Sequence, residues 1–161
     1  MAAPKFVKRP TGTTPTASAE LATKDYVDQH GLWQSYTPVW TAATTNPVLG
    51  NGTLVGRYCQ IGKTVWVKFR LTIGSTTTLG SGDWSISLPV GPSVSHANLE
   101  TFAACPSLCA GTYRVDAMTI PSGFSTFLVI ATSVGSFYKS TTPGAWTTGN
   151  FINSEFFYEL P

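Results

Sequence analysis

The chain has 161 residues, of which 11% are charged and 12% aromatic, and its formal net charge is +2. That length suits one domain able to bury a core, and the profile is too apolar for a disordered chain and too poor in helix formers for a helical one. Lys5, Lys8 and Arg9 lie ahead of the first acid, Glu20; the remainder is near neutral, so no nucleic-acid surface is expected.

In chain order, residues 1–20 carry Pro4, Pro10 and Pro15 among threonines and small residues, which predicts an extended arm without packed structure of its own. Lys5, Lys8 and Arg9 would suit an acidic groove on another protein, with Phe6 as an apolar peg. No apolar run approaches transmembrane length, and the N-terminus lacks the apolar core of a Sec-type leader. The expectation is a protein made in the cytoplasm, neither exported by that route nor inserted in a membrane.

Residues 21–31 hold the one convincing helix signal. Thr23 suits the N-cap, Asp25 the first turn, and Gly31 the left-handed position that ends a helix. About two turns are too few to be stable alone in water. Leu21, Tyr26, Val27 and His30 would line one face, which predicts a partner, most simply further copies of the same helix.

From residue 33 to 161 the pattern is strand and turn. Residues 36–41 (Tyr-Thr-Pro-Val-Trp-Thr) predict a first strand, with Pro38 placing it at an edge or bulge. Residues 53–60 and 64–73 predict a hairpin around Ile61-Gly62-Lys63. In its second strand Val65, Val67, Phe69, Leu71 and Ile73 share one face, and Trp66, Lys68, Arg70 and Thr72 share the other. One face is core; the other meets solvent or a neighbouring subunit.

Trp84, Ile86 and Leu88 alternate inward until Pro89. Residues 99–104 predict another strand, followed by a Cys105–Cys109 loop. In residues 112–118 Tyr113, Val115 and Ala117 share a side. Residues 125–132 are apolar on both faces, as in a central strand or one between subunits. Phe156, Tyr158 and Leu160 point inward, with Glu155, Phe157 and Glu159 outward. About eight short strands at regular spacing predict an all-β, jelly-roll-like β-sandwich.

Two runs resemble known sequences. Leu21-Ala22-Thr23-Lys24-Asp25-Tyr26-Val27-Asp28 resembles a motif of bacteriophage tail-fibre and tail-tip proteins, where it precedes a C-terminal β domain. Residues 36–41, 46–58 (Asn-Pro-Val-Leu-Gly-Asn-Gly-Thr-Leu-Val-Gly-Arg-Tyr) and 61–65 (Ile-Gly-Lys-Thr-Val) look like the opening of such domains. The resemblance covers residues 21–90. It implies a homotrimeric virion protein with three helices forming a collar, three jelly rolls beyond it, and an N-terminus attached to other virion proteins. A bare arm in place of a long shaft favours a compact knob, at the tail tip or as a capsid decoration.

Three cysteines, Cys59, Cys105 and Cys109, argue against a disulfide framework, and Cys105 and Cys109 have no second Cys/His pair to complete a metal site; buried free thiols are expected. The acids Asp83, Glu100, Asp116, Glu155 and Glu159 have the spacings of solvated loop and outward strand positions rather than of a glycosidase pair. His30 and His96 sit near no Ser or Cys in a nucleophile context. Neither catalysis nor a cofactor is expected. Binding fits better. Trp66 beside Lys68 and Arg70, and Phe137, Tyr138 and Trp146 in a Thr/Gly-rich region, would stack on sugar rings of a host-surface glycan, or pack against protein.

Overall fold

In a computed structural model the described residues are 31–91, 101–120, 127–131 and 136–160. The expected arm, the expected helix up to His30, and His96 and Glu100 lie outside them. The chain divides into two units, Met1–Leu32 and Trp33–Pro161. The second carries nine strands: β1 (Gln34–Tyr36), β2 (Trp40–Ala42), β3 (Thr53–Ile61), β4 (Thr64–Thr72), β5 (Trp84–Ser87), β6 (Thr101–Cys109), β7 (Thr112–Ile120), β8 (Phe127–Ala131) and β9 (Phe151–Glu159). Among the described residues there is no helix.

The strands hydrogen-bond in the order β1-β3-β4-β9-β6-β7-β8-β5-β2, every pair antiparallel. Both ends of this sheet contribute to one core. Trp40 of β2 and Trp84 and Ile86 of β5 pack in the same cluster as Val65, Val67, Phe69 and Leu71 of β4 and Ile152, Phe156 and Tyr158 of β9. Burying each such side chain contributes about 1.5–3 kcal/mol, and four of them on β4 make that strand the spine of the core.

The β3–β4 hairpin forms as its alternation predicts, closed by Gly62 and Lys63, with Gly62 at φ 58° supplying the positive φ of the tight turn. β8 lies inside the sheet between β7 and β5, a central position. On β9, Phe156 and Tyr158 are buried while Glu155, Phe157 and Glu159 are exposed, as the alternation requires.

Three features differ from the sequence reading. The single strand expected over residues 36–41 is two, separated at Thr37-Pro38-Val39, and they occupy opposite edges of the sheet: β1 pairs with β3 and β2 with β5. Proline lacks the N–H that a continuous ladder needs, so the chain leaves one edge and crosses to the other at Pro38. The tyrosine before it lies over Gly56, where a Cβ would collide with the Tyr36 ring.

The expected Cys105–Cys109 loop is strand. Pro106 is accommodated because β6 pairs with β9 only at Ser107 and Leu108, so its missing N–H falls where that ladder has ended. Nearby, Ser154 Oγ donates to Ala104 O at 2.7 Å. Cys105 and Cys109 both face inward, fully buried; they and the buried Cys59 are free thiols. Burial pushes the Cys105 thiol up, as it does the Cys109 thiol. On β7 the apolar alternation is inverted: Tyr113 and Val115 are 76% and 70% exposed while Asp116 is buried.

Candidate functional site

Two clusters of chemically capable side chains stand out, one sealed and one open. The sealed one is Ser107, Asp116 and Tyr138, exposed by 1%, 6% and 0%. The Tyr138 hydroxyl donates to Asp116 Oδ2 at 2.5 Å and lies 2.8 Å from Ser107 Oγ. Burial, then donation to Asp116, raises the Tyr138 pKa, so this phenol stays neutral. Its partners explain why β7 turns an acid inward: a buried carboxylate is tolerated where donors meet it. A substrate does not reach these atoms, and their role is to tie β6, β7 and the 136–150 segment together.

That segment continues the core. Tyr138 packs on Trp146 at 5.5 Å between ring centroids, Trp146 on Trp84 at 5.2 Å, and Trp84 on Trp40 at 4.8 Å. The Trp146 indole donates to Lys139 O and Thr142 O at 3.1 and 3.2 Å. Tyr138 and Trp146 are therefore core residues, not the surface contacts weighed from sequence. Phe137 alone of that group is exposed, at 42%.

The open cluster is the outer face of β3, β4 and β9. Strand alternation dictates it: each inward Val, Phe or Leu of β4 puts its neighbour outside. Trp66, Lys68 and Arg70 all project there, exposed. Register then lays three rows across the sheet. Cys59, Trp66 and Phe157 form one row, Arg57, Lys68 and Glu155 the next, and Val55, Arg70 and Asn153 the third. Trp66 and Phe157 are tilted against each other at 6.1 Å and remain exposed.

In the middle row Lys68 Nζ lies 3.2 Å from Glu155 Oε1 and 4.5 Å from the Trp33 ring centroid, while Arg57 donates to Trp33 O at 3.2 Å. The Arg70 guanidinium lies 4.1 Å from the Phe151 ring centroid, and Phe151 contacts Tyr113 edge-on at 6.2 Å. A solvated ion pair such as Lys68–Glu155 contributes little stability. The arrangement offers fixed positive charge and aromatic planes on a rigid sheet, which suits binding.

Sequence reasoning placed Trp66, Lys68, Arg70 and the outward Phe157 on such a face but passed over Trp33, Arg57, Phe151 and Asn153. The three-residue turn expected at Ile61-Gly62-Lys63 would set Arg57 opposite Val67; the tighter Gly62-Lys63 turn shifts the register by one and brings Arg57 opposite Lys68. Trp33 was not findable either, because its place beside Lys68 follows from β1 pairing with β3.

Of the acids considered for catalysis, Asp83 is exposed, Glu155 faces Lys68, and Asp116 is in the sealed cluster. Among the described residues no group of three or more His, Cys, Asp or Glu is placed to hold a metal, and no helix is long and apolar enough to cross a membrane. No family model, curated protein or solved structure matches the chain.

Proposed function

We propose that this chain is a bacteriophage virion structural protein: a homotrimeric appendage moored through its N-terminal arm, whose β domain is a tail-tip or tail-fibre knob contacting a host-surface glycan. The observation that carries the receptor reading is the outer face of β3, β4 and β9. It holds Trp66 at 38% and Phe157 at 58% exposure beside Arg57, Lys68 and Arg70, and aromatic planes on a rigid scaffold supply contact area at little entropic cost. The virion assignment rests on the residue 21–90 resemblance described above. In this reading the antiparallel sheet wraps as a jelly-roll-like sandwich, three copies meet through the short helices, and the role is binding without catalysis.

Binding of fluorescently labelled protein to host cells, and its loss in Trp66→Ala, tests the receptor reading. Equal binding by both proteins would sink it. Removal of residues 1–17 is expected to abolish incorporation into particles, and a monomer by light scattering of the full chain would overturn the trimer. A second reading, a capsid decoration or head fibre, draws on the strongly exposed Tyr113 and Val115, which suit a protein contact better than a sugar. Immunogold labelling of particles separates the two, by gold at the tail or over the head. Release of reducing ends from host glycan would point instead to a glycan-cleaving enzyme.

A further inference from the structure

The outer face is more cationic than the strands beneath it need. Register sets Arg57 directly opposite Lys68, with Arg70 two residues further along β4 and diagonal to Arg57. Like charges facing each other across a strand pair are destabilising, and a single carboxylate in those rows, Glu155, is paired with Lys68. The two arginines keep donors to spare. Arg57 uses one guanidinium nitrogen on Trp33 O. Arg70 sets its guanidinium carbon 4.1 Å from the Phe151 ring centroid, a contact that takes up none of its N–H donors on an oxygen and so leaves the fork for a bidentate acceptor.

Between these side chains runs a shallow groove of about 420 Å³, its surface mostly apolar where Tyr36, Leu54 and Val55 line it, with Arg57, Arg70 and Asn153 supplying its polar groups; its volume is within the size range of small-ligand sites. Trp66 stands four residues from Arg70 on the same strand, a separation of about 13 Å at the rise of an extended chain. That spacing fits an oligosaccharide better than a single ring.

We propose that this groove binds an acidic saccharide: its carboxylate or phosphate group sits between Arg57 and Arg70, with the Asn153 amide beside it, and a neighbouring sugar ring stacks on Trp66 and Phe157. The proposal rests on the receptor reading and names the ligand class for it. A nucleic acid is the poorer fit, since its affinity comes from a longer series of phosphate contacts and the acid Glu155 stands within this cluster.

Calorimetry on the full chain with four probes tests it: oligogalacturonate as a carboxylate source, poly(glycerol phosphate) as a phosphate source, neutral dextran, and a thymidine oligonucleotide. At least one acidic glycan is expected to bind, tenfold or more weakly in Arg57→Gln/Arg70→Gln and progressively more weakly as salt rises; the two acidic probes decide between carboxylate and phosphate. If the double variant loses its circular dichroism signature, Arg70→Gln alone carries the same expectation. Dextran binding as well as the acidic glycans, or binding unaffected by salt and by the arginine changes, overturns the acidic assignment and leaves the receptor reading standing. Tighter binding of the oligonucleotide overturns the glycan class. Binding of no probe overturns the proposal, and host-cell binding by the wild type then decides whether the receptor reading falls with it.

Discussion

The two faces of β4 are made by alternate residues of one nine-residue strand, yet they do different work. Val65, Val67, Phe69 and Leu71 are at most 2% exposed and join a core that also holds both ends of the sheet. Trp66, Lys68 and Arg70, one residue away in each case, are exposed. The inner face is redundant: each side chain is held by many others and tolerates little change in volume. On the outer face Trp66, Lys68 and Arg70 have fewer neighbours, so they can be exchanged at smaller cost, while Cys59 in the same rows is buried. Along β4, stability and binding should therefore separate by strand parity.

The strongest way to break that contrast is at the aromatic chain under the sheet. Trp84→Ala is expected to remove about 3–5 kcal/mol of stability, read as a large fall in the denaturant midpoint. A value near zero would mean that Trp40 and Trp146 close over the gap.

High pH attacks the same interior. Burial, partly offset by the Val90 backbone hydrogen bond, pushes the Tyr158 pKa up to about 12, and burial raises Tyr36 and Tyr138 in the same direction. The unfolded phenol titrates near 10, so it releases its proton first and stabilises the unfolded chain. The contribution is whole below pH 10 and is lost as pH rises from 10 towards 12. Melting temperature should begin to fall near pH 9, where the unfolded Cys105 and Cys109 thiols ionise before the buried ones, and fall more steeply above pH 10, and Tyr158→Phe should soften the steeper part.

Tyr138→Phe takes one donor from the buried Asp116 and is expected to cost about 1–3 kcal/mol. A loss of a few tenths by chemical denaturation would mean that solvent replaces the hydroxyl.

On the outer face the effects shrink. Trp66→Ala should cost under about 1 kcal/mol, since its ring is already part-exposed, while weakening any glycan contact. Smallest is Glu155→Gln, which opens the Lys68 pair and should change stability by about 0–1 kcal/mol. If Trp66→Ala instead destabilises as strongly as Trp84→Ala, the face is buried in the working assembly and packs between copies.

Much of this contrast was legible in the sequence. β4 and β9 alternate without interruption, so their inward and outward sets follow from the two-residue repeat, whereas the β3–β4 register, set by a Gly62-Lys63 turn one residue shorter than the expected Ile61-Gly62-Lys63, was not legible. Legibility failed where tertiary partners overrode local pattern. Tyr113 and Val115 read as a face worth burying, but Asp116 takes the inside because the Tyr138 hydroxyl, 22 residues away in the chain, donates to it. Tyr138 and Trp146 read as candidates for surface contact because they sit among threonines and glycines. Their burial follows from the Trp40 and Trp84 rings that meet them.

By itself, then, the sequence determined the β class, the hairpin, the parity of β4, β5 and β9, and the presence of Trp66, Lys68 and Arg70 on one outward face. All of these depend on neighbours within a strand or across a tight turn. Only the tertiary structure decided that Pro38 sends the chain from one edge of the sheet to the other, that Pro106 lies within a strand, and that Arg57 and Trp33 join the cationic cluster. Those outcomes depend on which strands become neighbours, and that is set by the shared core rather than by local pattern.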